Sequence, residues 1–225
     1  MTRPRLLDLF CGAGGAAMGY HRAGFEVVGV DIAPQPHYPF EFHQADALTY
    51  PFDGFDAIHA SPPCQHYSTA TKMQGLDAPD RHPDLIEPTR SRLFASGLPY
   101  VIENVRGAPL RASVQLCGTS FGLEGRGFYL RRHRLFETSF PILFAPHPCA
   151  HPRGLRALDV TGHANGKRGG ASYSPRFPDL FDDLSTRKLL MGIDWMTSDE
   201  LSEAIPPAYT EWIGRQLLAV LERAA

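Results

Sequence analysis

An apolar run, Arg5 to Phe10, breaks into glycines at positions 12, 14, 15 and 19, among which a helix-compatible segment, Ala16 to Ala23, begins. No other stretch restricts the fold as much. A strand that turns into a helix within a few residues sets the helix N-terminus at the strand's carboxyl end. Glycines there let the backbone approach a ligand closely. A second β-branched run, Glu26-Val27-Val28-Gly29-Val30, ends at Asp31, about twenty residues on, where a carboxylate is suited to accept hydrogen bonds from ribose hydroxyls. The turn alone reads equally well as a tight turn; with Asp31 it reads as a nucleoside-cofactor loop. No Gly-x-x-x-x-Gly-Lys-Ser/Thr sequence is present, which disfavours ATP hydrolysis of the P-loop kind.

The alternation continues. Phe55 to Ala60 reads as a strand, Asp84 to Ala95 as a helix that Pro88 is expected to kink or shorten, and Pro99 to Glu103 as another strand. Strands alternating with helices predict an α/β fold: a doubly wound, mostly parallel sheet with its ligand beyond the carboxyl ends of the strands. Pro141 to Asp183 breaks the pattern, being rich in Pro, Gly, His and Arg, and is expected to be a loop-rich insertion. Helical spacing returns at Ser185 to Met191 and at Glu211 to Leu221. The expected division is therefore a main domain from 1–140 and 185–225, and a small insertion at 141–184.

The length of 225 residues gives room for one sizeable domain, and 43% hydrophobic residues suffice for its core. A net charge of -2 means that any nucleic-acid role must rest on a local patch. The best one is Arg126 to Arg134, with Phe128 and Tyr129 interleaved; a solvated charged strand is its alternative. Four cysteines without a regular framework, no signal-peptide pattern and no apolar run near the roughly 18 residues of a membrane span predict a soluble, reduced, cytoplasmic protein. His147, Cys149 and His151 match no established zinc spacing and lack an obvious fourth ligand, so no metal is expected. Cys11 and Cys117 read as small buried hydrophobes.

Cys64 differs. Pro62-Pro63-Cys64-Gln65 follows the third strand, where two prolines stiffen the turn and polar neighbours favour exposure of the thiol. Glu103-Asn104, at the end of another strand, is expected on the same sheet edge, either as a solvated terminus or as a proton donor near that thiol.

Asp8-Leu9-Phe10-Cys11-Gly12-Ala13-Gly14-Gly15, Pro62-Pro63-Cys64-Gln65, Glu103-Asn104-Val105, Arg131-Arg132-His133-Arg134 and Ala204-Ile205-Pro206-Pro207 occur in the order of the C5-cytosine DNA methyltransferases. The chain resembles that family over roughly 5–140 and 185–222. The resemblance implies a Rossmann-like methyltransferase sheet, S-adenosyl-L-methionine as cofactor and double-stranded DNA as partner, with a monomer acting on a flipped-out cytosine. It implies Cys64 as nucleophile at C6, Glu103 at N3 and the exocyclic amine, Arg134 at O2, and Arg132 supporting the loop and the thiolate. Phe10, Gly12, Gly14, Asp31, Asp46 and Glu203 fall at the cofactor, although Asp46 also reads as a turn residue. Gln65, Ser68, Asn104 and Arg131 fall at the substrate.

Three departures stand out. Leu130 replaces the glutamine that opens the arginine motif, Glu203 replaces an asparagine before the last motif, and an insertion of about forty residues is small for target recognition. An RNA cytosine-5 methyltransferase and a catalytically silent accessory module are the rival readings.

Overall fold

The computed structural model describes residues 2–67, 83–160 and 183–224. Residues 68–82, Ser68 among them, lie outside the described residues, as does much of the expected insertion. A seven-stranded sheet has the order β3-β2-β1-β4-β5-β9-β6. Its strands are β1 (Arg5–Leu9), β2 (Glu26–Asp31), β3 (Glu41–Gln44), β4 (Ala57–Ala60), β5 (Tyr100–Asn104), β6 (Val114–Leu116) and β9 (Arg134–Thr138). The first five run parallel, and β9 pairs antiparallel with both β5 and β6. The strand order reverses between β1 and β4, which opens a crevice at their carboxyl ends. The expected doubly wound, mostly parallel sheet is the observed one.

Helix α1 (Gly15–Ala23) leaves β1 directly, and α2 (Ile86–Ser96) precedes β5. Pro88 does not kink α2, because it stands in the first turn, where backbone N–H groups have no intrahelical partner to lose. The Asp84 carboxylate accepts from the Ile86 N–H at 2.9 Å. The buried Arg90 of α2 makes a two-pronged pair with Glu137 of β9, at 2.8 and 2.9 Å, and so ties the helix to the antiparallel edge.

Helix α3 (Leu184–Met191) is capped by Asp183, and α4 (Ser198–Glu203) by a reciprocal Thr197–Glu200 capping box. The closing helix α5 (Pro207–Ala224) starts a turn earlier than its apolar spacing indicates, since Pro207 suits a first helical position. It packs along α1 with almost no space between them. A Cβ on Gly19 would lie 2.0 Å from Thr210 Oγ1 and 2.2 Å from the Pro207 carbonyl, and one on Gly214 would lie 2.8 Å from Ala23 Cβ.

A small second sheet joins β7 (Glu124–Gly125), β8 (Phe128–Leu130) and β10 (Arg156–Leu158). The insertion therefore contributes a strand that sequence spacing did not indicate. Leu158 and Val160 bury against Leu190, Met191, Leu130 and Ala13, in a core of their own beneath the glycine turn.

Candidate active site

The carboxyl ends of the parallel strands carry nearly every residue singled out in the sequence. After β1 the chain turns sharply: Phe10 has φ 56, and Gly12 and Gly14 follow at φ 48 and 84. A non-glycine residue at positive φ is strained, and such strain gathers at ligand sites. The Gly12 N–H donates to Asp31 Oδ2 and the Ala33 N–H to Asp31 Oδ1, both at 3.0 Å, which fixes the carboxylate beside the turn. The Ala13 carbonyl accepts from the Trp195 indole at 2.9 Å. Across the loop, a Cβ on Gly15 would stand 2.4 Å from the Ile205 carbonyl and 3.2 Å from Ala204 Cβ. Glu203 ends α4 immediately before that contact.

Asp46 follows β3, the neighbour of β2, and its Oδ1 accepts from the Leu48 N–H at 2.8 Å. It is thus a turn residue, and its carboxylate stands on the same edge as Asp31.

The residues present fit a nucleoside-bearing methyl donor. A Cβ on Gly12 would meet nothing within 4 Å, so open space adjoins the turn. Beneath it Asp8 is wholly buried, and neither carboxylate oxygen makes a well-aligned hydrogen bond. Burial pushes its carboxyl well above the carboxylate range and the charge of Asp31 adds to this, while the nearby Tyr38 hydroxyl opposes it. Ile32, 74% exposed next to Asp31, presents an apolar face at the same rim. Asp8 entered the sequence reading only as part of the glycine motif, and Ile32, just past β2, gave no signal there.

The second group surrounds Cys64. The Asn104 amide donates to the Pro62 carbonyl at 2.8 Å, and its own oxygen accepts from the Val105 N–H. Asn104 is buried with both ends engaged, so it holds the proline turn rather than facing a substrate. Gln65 is exposed beside the thiol. Arg134 Nε lies 3.1 Å from Glu103 Oε1. Burial raises the Glu103 carboxyl, with Arg134, the Ser61 hydroxyl and Arg132 opposing. Burial likewise raises the Cys64 thiol; Arg134 and, more weakly, Arg132 pull it down, while Glu103 pushes it up. The arginines were expected to favour the thiolate, and here desolvation outweighs them.

Arg132 is 2% exposed and donates to the Val160 and Ser202 carbonyls, so it braces the insertion and α4 from within. Burial, aided by the charge of Arg134, lowers its pKa to about 9. One expectation needs correcting: the stretch from Arg126 to Arg134 is not a free basic patch. Arg131 pairs with Asp159, Arg126 reaches Ser185 and Thr186, and Phe128, Tyr129 and Leu130 are buried. Leu130 stands where an amide was expected because that place is core: it presses on Gly118.

A buried relay also escaped the sequence reading. His59 of β4 contacts the Tyr20 hydroxyl through Nδ1 and the Ser61 hydroxyl through Nε2, both at 2.9 Å. Burial lowers its pKa to about 3, so the ring is neutral. Ser61 then links this pair to Glu103.

Residues 4–108 match the sequence model of the C-5 cytosine-specific DNA methylases. The type II methyltransferase M.AquIA of Picosynechococcus sp. is 30% identical over 125 residues, 46% of this chain and 49% of the relative. M1.HphI of Haemophilus parahaemolyticus is 34% identical over 119 residues, 44% of this chain and 32% of the relative. The matched part thus spans half or less of these relatives. Among solved structures, a prophage-encoded E. coli protein assigned as a DNA modification methyltransferase superposes with a TM-score of 0.60 at 16% identity. It covers 97% of this chain and 99% of its own. The Dnmt2 methyltransferase of S. pombe gives 0.57 at 14% identity over the same shares. Both likenesses extend to the fold.

Proposed function

We propose, from the match of residues 4–108 to the C-5 cytosine-specific DNA methylases, that this chain methylates C5 of a flipped-out cytosine in double-stranded DNA. The observation that supports it best is the convergence of Cys64, Glu103 and Arg134 at one sheet edge, with the open glycine turn on the neighbouring strand. S-adenosyl-L-methionine, when bound, supplies an electrophilic methyl group. Asp31 and Asp46 would hold its ribose and purine, Phe10 and Ile32 would offer apolar faces, and Gly12 and Gly14 would border the methionine part. The Ala204-Ile205 step closes the loop from behind, with Glu203 directly before it in the chain. The orphaned Asp8 carboxyl lies beneath the same loop.

Cytosine C5 is a poor nucleophile. Addition of the Cys64 thiolate to C6 pushes the ring electrons toward C5 and N3. Burial raises the Glu103 carboxyl and so favours its protonated form, from which it would donate to N3 as that charge develops. Arg134 would orient Glu103 and meet the O2 edge, while Arg132 would keep the strand in place. After methyl transfer, solvent takes the C5 proton, N3 returns its proton to Glu103, and breakage of the S–C6 bond restores the aromatic ring and the thiolate. Burial keeps the thiol's pKa raised, and the charges of Arg134 and Arg132 are what favour its thiolate.

The insertion at 141–184 is proposed as a compact target-recognition segment. Sequencing cytosine methylation in DNA from cells expressing the protein tests the activity and yields its sequence context. New methylation at a defined short site is expected. Methyl transfer to RNA alone, or none with cofactor bound, would favour the rival readings.

A further inference from the structure

A second cluster lies apart from Cys64. Cys117, His133, Cys149 and His151 bring their ligand atoms within 4.8 Å of one another. His151 Nε2 stands 3.2 Å from Cys149 Sγ and 3.6 Å from Cys117 Sγ, and His133 Nε2 stands 3.4 Å from Cys149 Sγ. With Zn–S of about 2.3 Å and Zn–N of about 2.0–2.1 Å, tetrahedral angles set sulfur and nitrogen ligands about 3.5 Å apart. The observed separations fall around that value. We propose that these four residues form a structural zinc site.

The donor chemistry supports zinc over harder cations. Two thiols and two imidazoles are the borderline-soft ligands that zinc takes, and the cluster contains no carboxylate of the kind that calcium or magnesium demands. Four protein ligands close the coordination sphere, which makes the site structural rather than catalytic. Its surroundings resemble an outer shell. The Thr119 hydroxyl donates to Cys117 Sγ at 3.3 Å, and the Tyr129 ring stacks on His151 with centroids 5.5 Å apart.

Sequence spacing hid the site. Cys149 and His151 drew attention there along with His147, which is not part of the cluster. The missing ligands, Cys117 and His133, stand 32 and 16 residues upstream of Cys149 and arrive through the fold: Cys117 follows β6 and His133 precedes β9. Cys117 was expected to be merely a buried hydrophobe. A zinc ion here would clasp the stem of the insertion to the segment that holds Arg132 and Arg134, since His133 lies between those two arginines. This proposal stands on the cluster's geometry and does not depend on which base the enzyme modifies.

The test measures metal directly. Protein purified without chelator is expected to carry stoichiometric zinc by atomic spectroscopy, and cobalt replacement is expected to give thiolate charge-transfer and tetrahedral ligand-field bands. Cys149 and His151 are exposed, so Cys149→Ser and His151→Asn should leave the fold intact. Each is expected to weaken zinc by more than the roughly 100-fold that a lost outer-shell partner costs. His147→Ala should retain full affinity. Absence of zinc both as purified and after reconstitution of the reduced protein would overturn the proposal. So would a Cys117–Cys149 disulfide in the isolated protein, or cobalt bands unchanged by both ligand variants.

Discussion

Replacing Gly19 by alanine asks whether the closing helix holds the cofactor turn in place. A methyl group there would sit 2.0 Å from Thr210 Oγ1, 2.2 Å from the Pro207 carbonyl and 2.7 Å from the Glu211 nitrogen. Two of these are backbone atoms and cannot rotate away, so α5 must shift by about 1 Å or more to reach ordinary contact distances. Overpacking of this kind costs about 1–3 kcal/mol. The shift also disturbs the hydrogen bond from Thr210 to the Ala16 carbonyl, worth about 1 kcal/mol. Alanine's better helix propensity returns about 1 kcal/mol. The net loss is therefore about 1–3 kcal/mol, and at about 2–4 °C per kcal/mol for a chain of this size the expected fall in Tm is roughly 2–12 °C. The displaced segment begins at Pro207, directly after the Ile205 carbonyl that presses on Gly15, so cofactor affinity should weaken as well. Calorimetry of the variant, with cofactor titration, checks both effects. An unchanged Tm with unchanged cofactor affinity would refute the close packing and its link to the turn.

Glu103→Gln keeps a hydrogen-bond donor but no transferable proton, so the turnover rate should fall by about 10²–10⁴-fold. Ionisation of Glu103, whose pKa burial raises, is expected to give the native protein a descending alkaline limb in its pH–rate profile, and the variant should lose it; a surviving limb would assign that ionisation elsewhere. Asp8 has its folded-state pKa raised, so its contribution to stability is complete below the unfolded carboxylate pKa of about 3.9 and is lost as pH climbs through the folded value. Urea unfolding of Asp8→Asn should therefore show a stability gain over the native chain that grows with pH from acid to neutral, and a pH-independent difference would contradict the raised pKa. Glu203→Asn should alter cofactor KM or turnover more than DNA affinity, because its neighbours Ala204 and Ile205 touch the glycine turn; unchanged cofactor kinetics would remove it from the pocket.

What the sequence made legible was local. The glycine turn, Asp31 and the proline-mounted Cys64 depend on neighbours in the chain, and their positions on the parallel strands follow from strand–helix alternation. Contacts made at long range stayed hidden. Arg126, Arg131 and Arg132 looked like a phosphate patch because their partners, Ser185, Asp159 and the Val160 carbonyl, lie 28 or more residues away. His59 sits in an apolar strand and gives no sign that it bridges Tyr20 and Ser61. The zinc ligands are spread over 35 positions of sequence, from Cys117 to His151, and no regular spacing unites them. Pro88 was misjudged for the opposite reason: a rule for helix interiors was applied to a residue that the fold puts in a first turn.

The central claim is that Cys64 attacks the base. Incubation with duplex DNA containing 5-fluorocytosine and S-adenosyl-L-methionine tests it directly, because fluorine at C5 cannot leave as a proton does and the adduct persists. The native protein is expected to form a denaturation-resistant complex whose peptide map places the nucleotide on Cys64, and Cys64→Ser is expected to form none while binding cofactor within a few fold. A methylated product from Cys64→Ser, or an adduct mapped to another residue, would contradict the account.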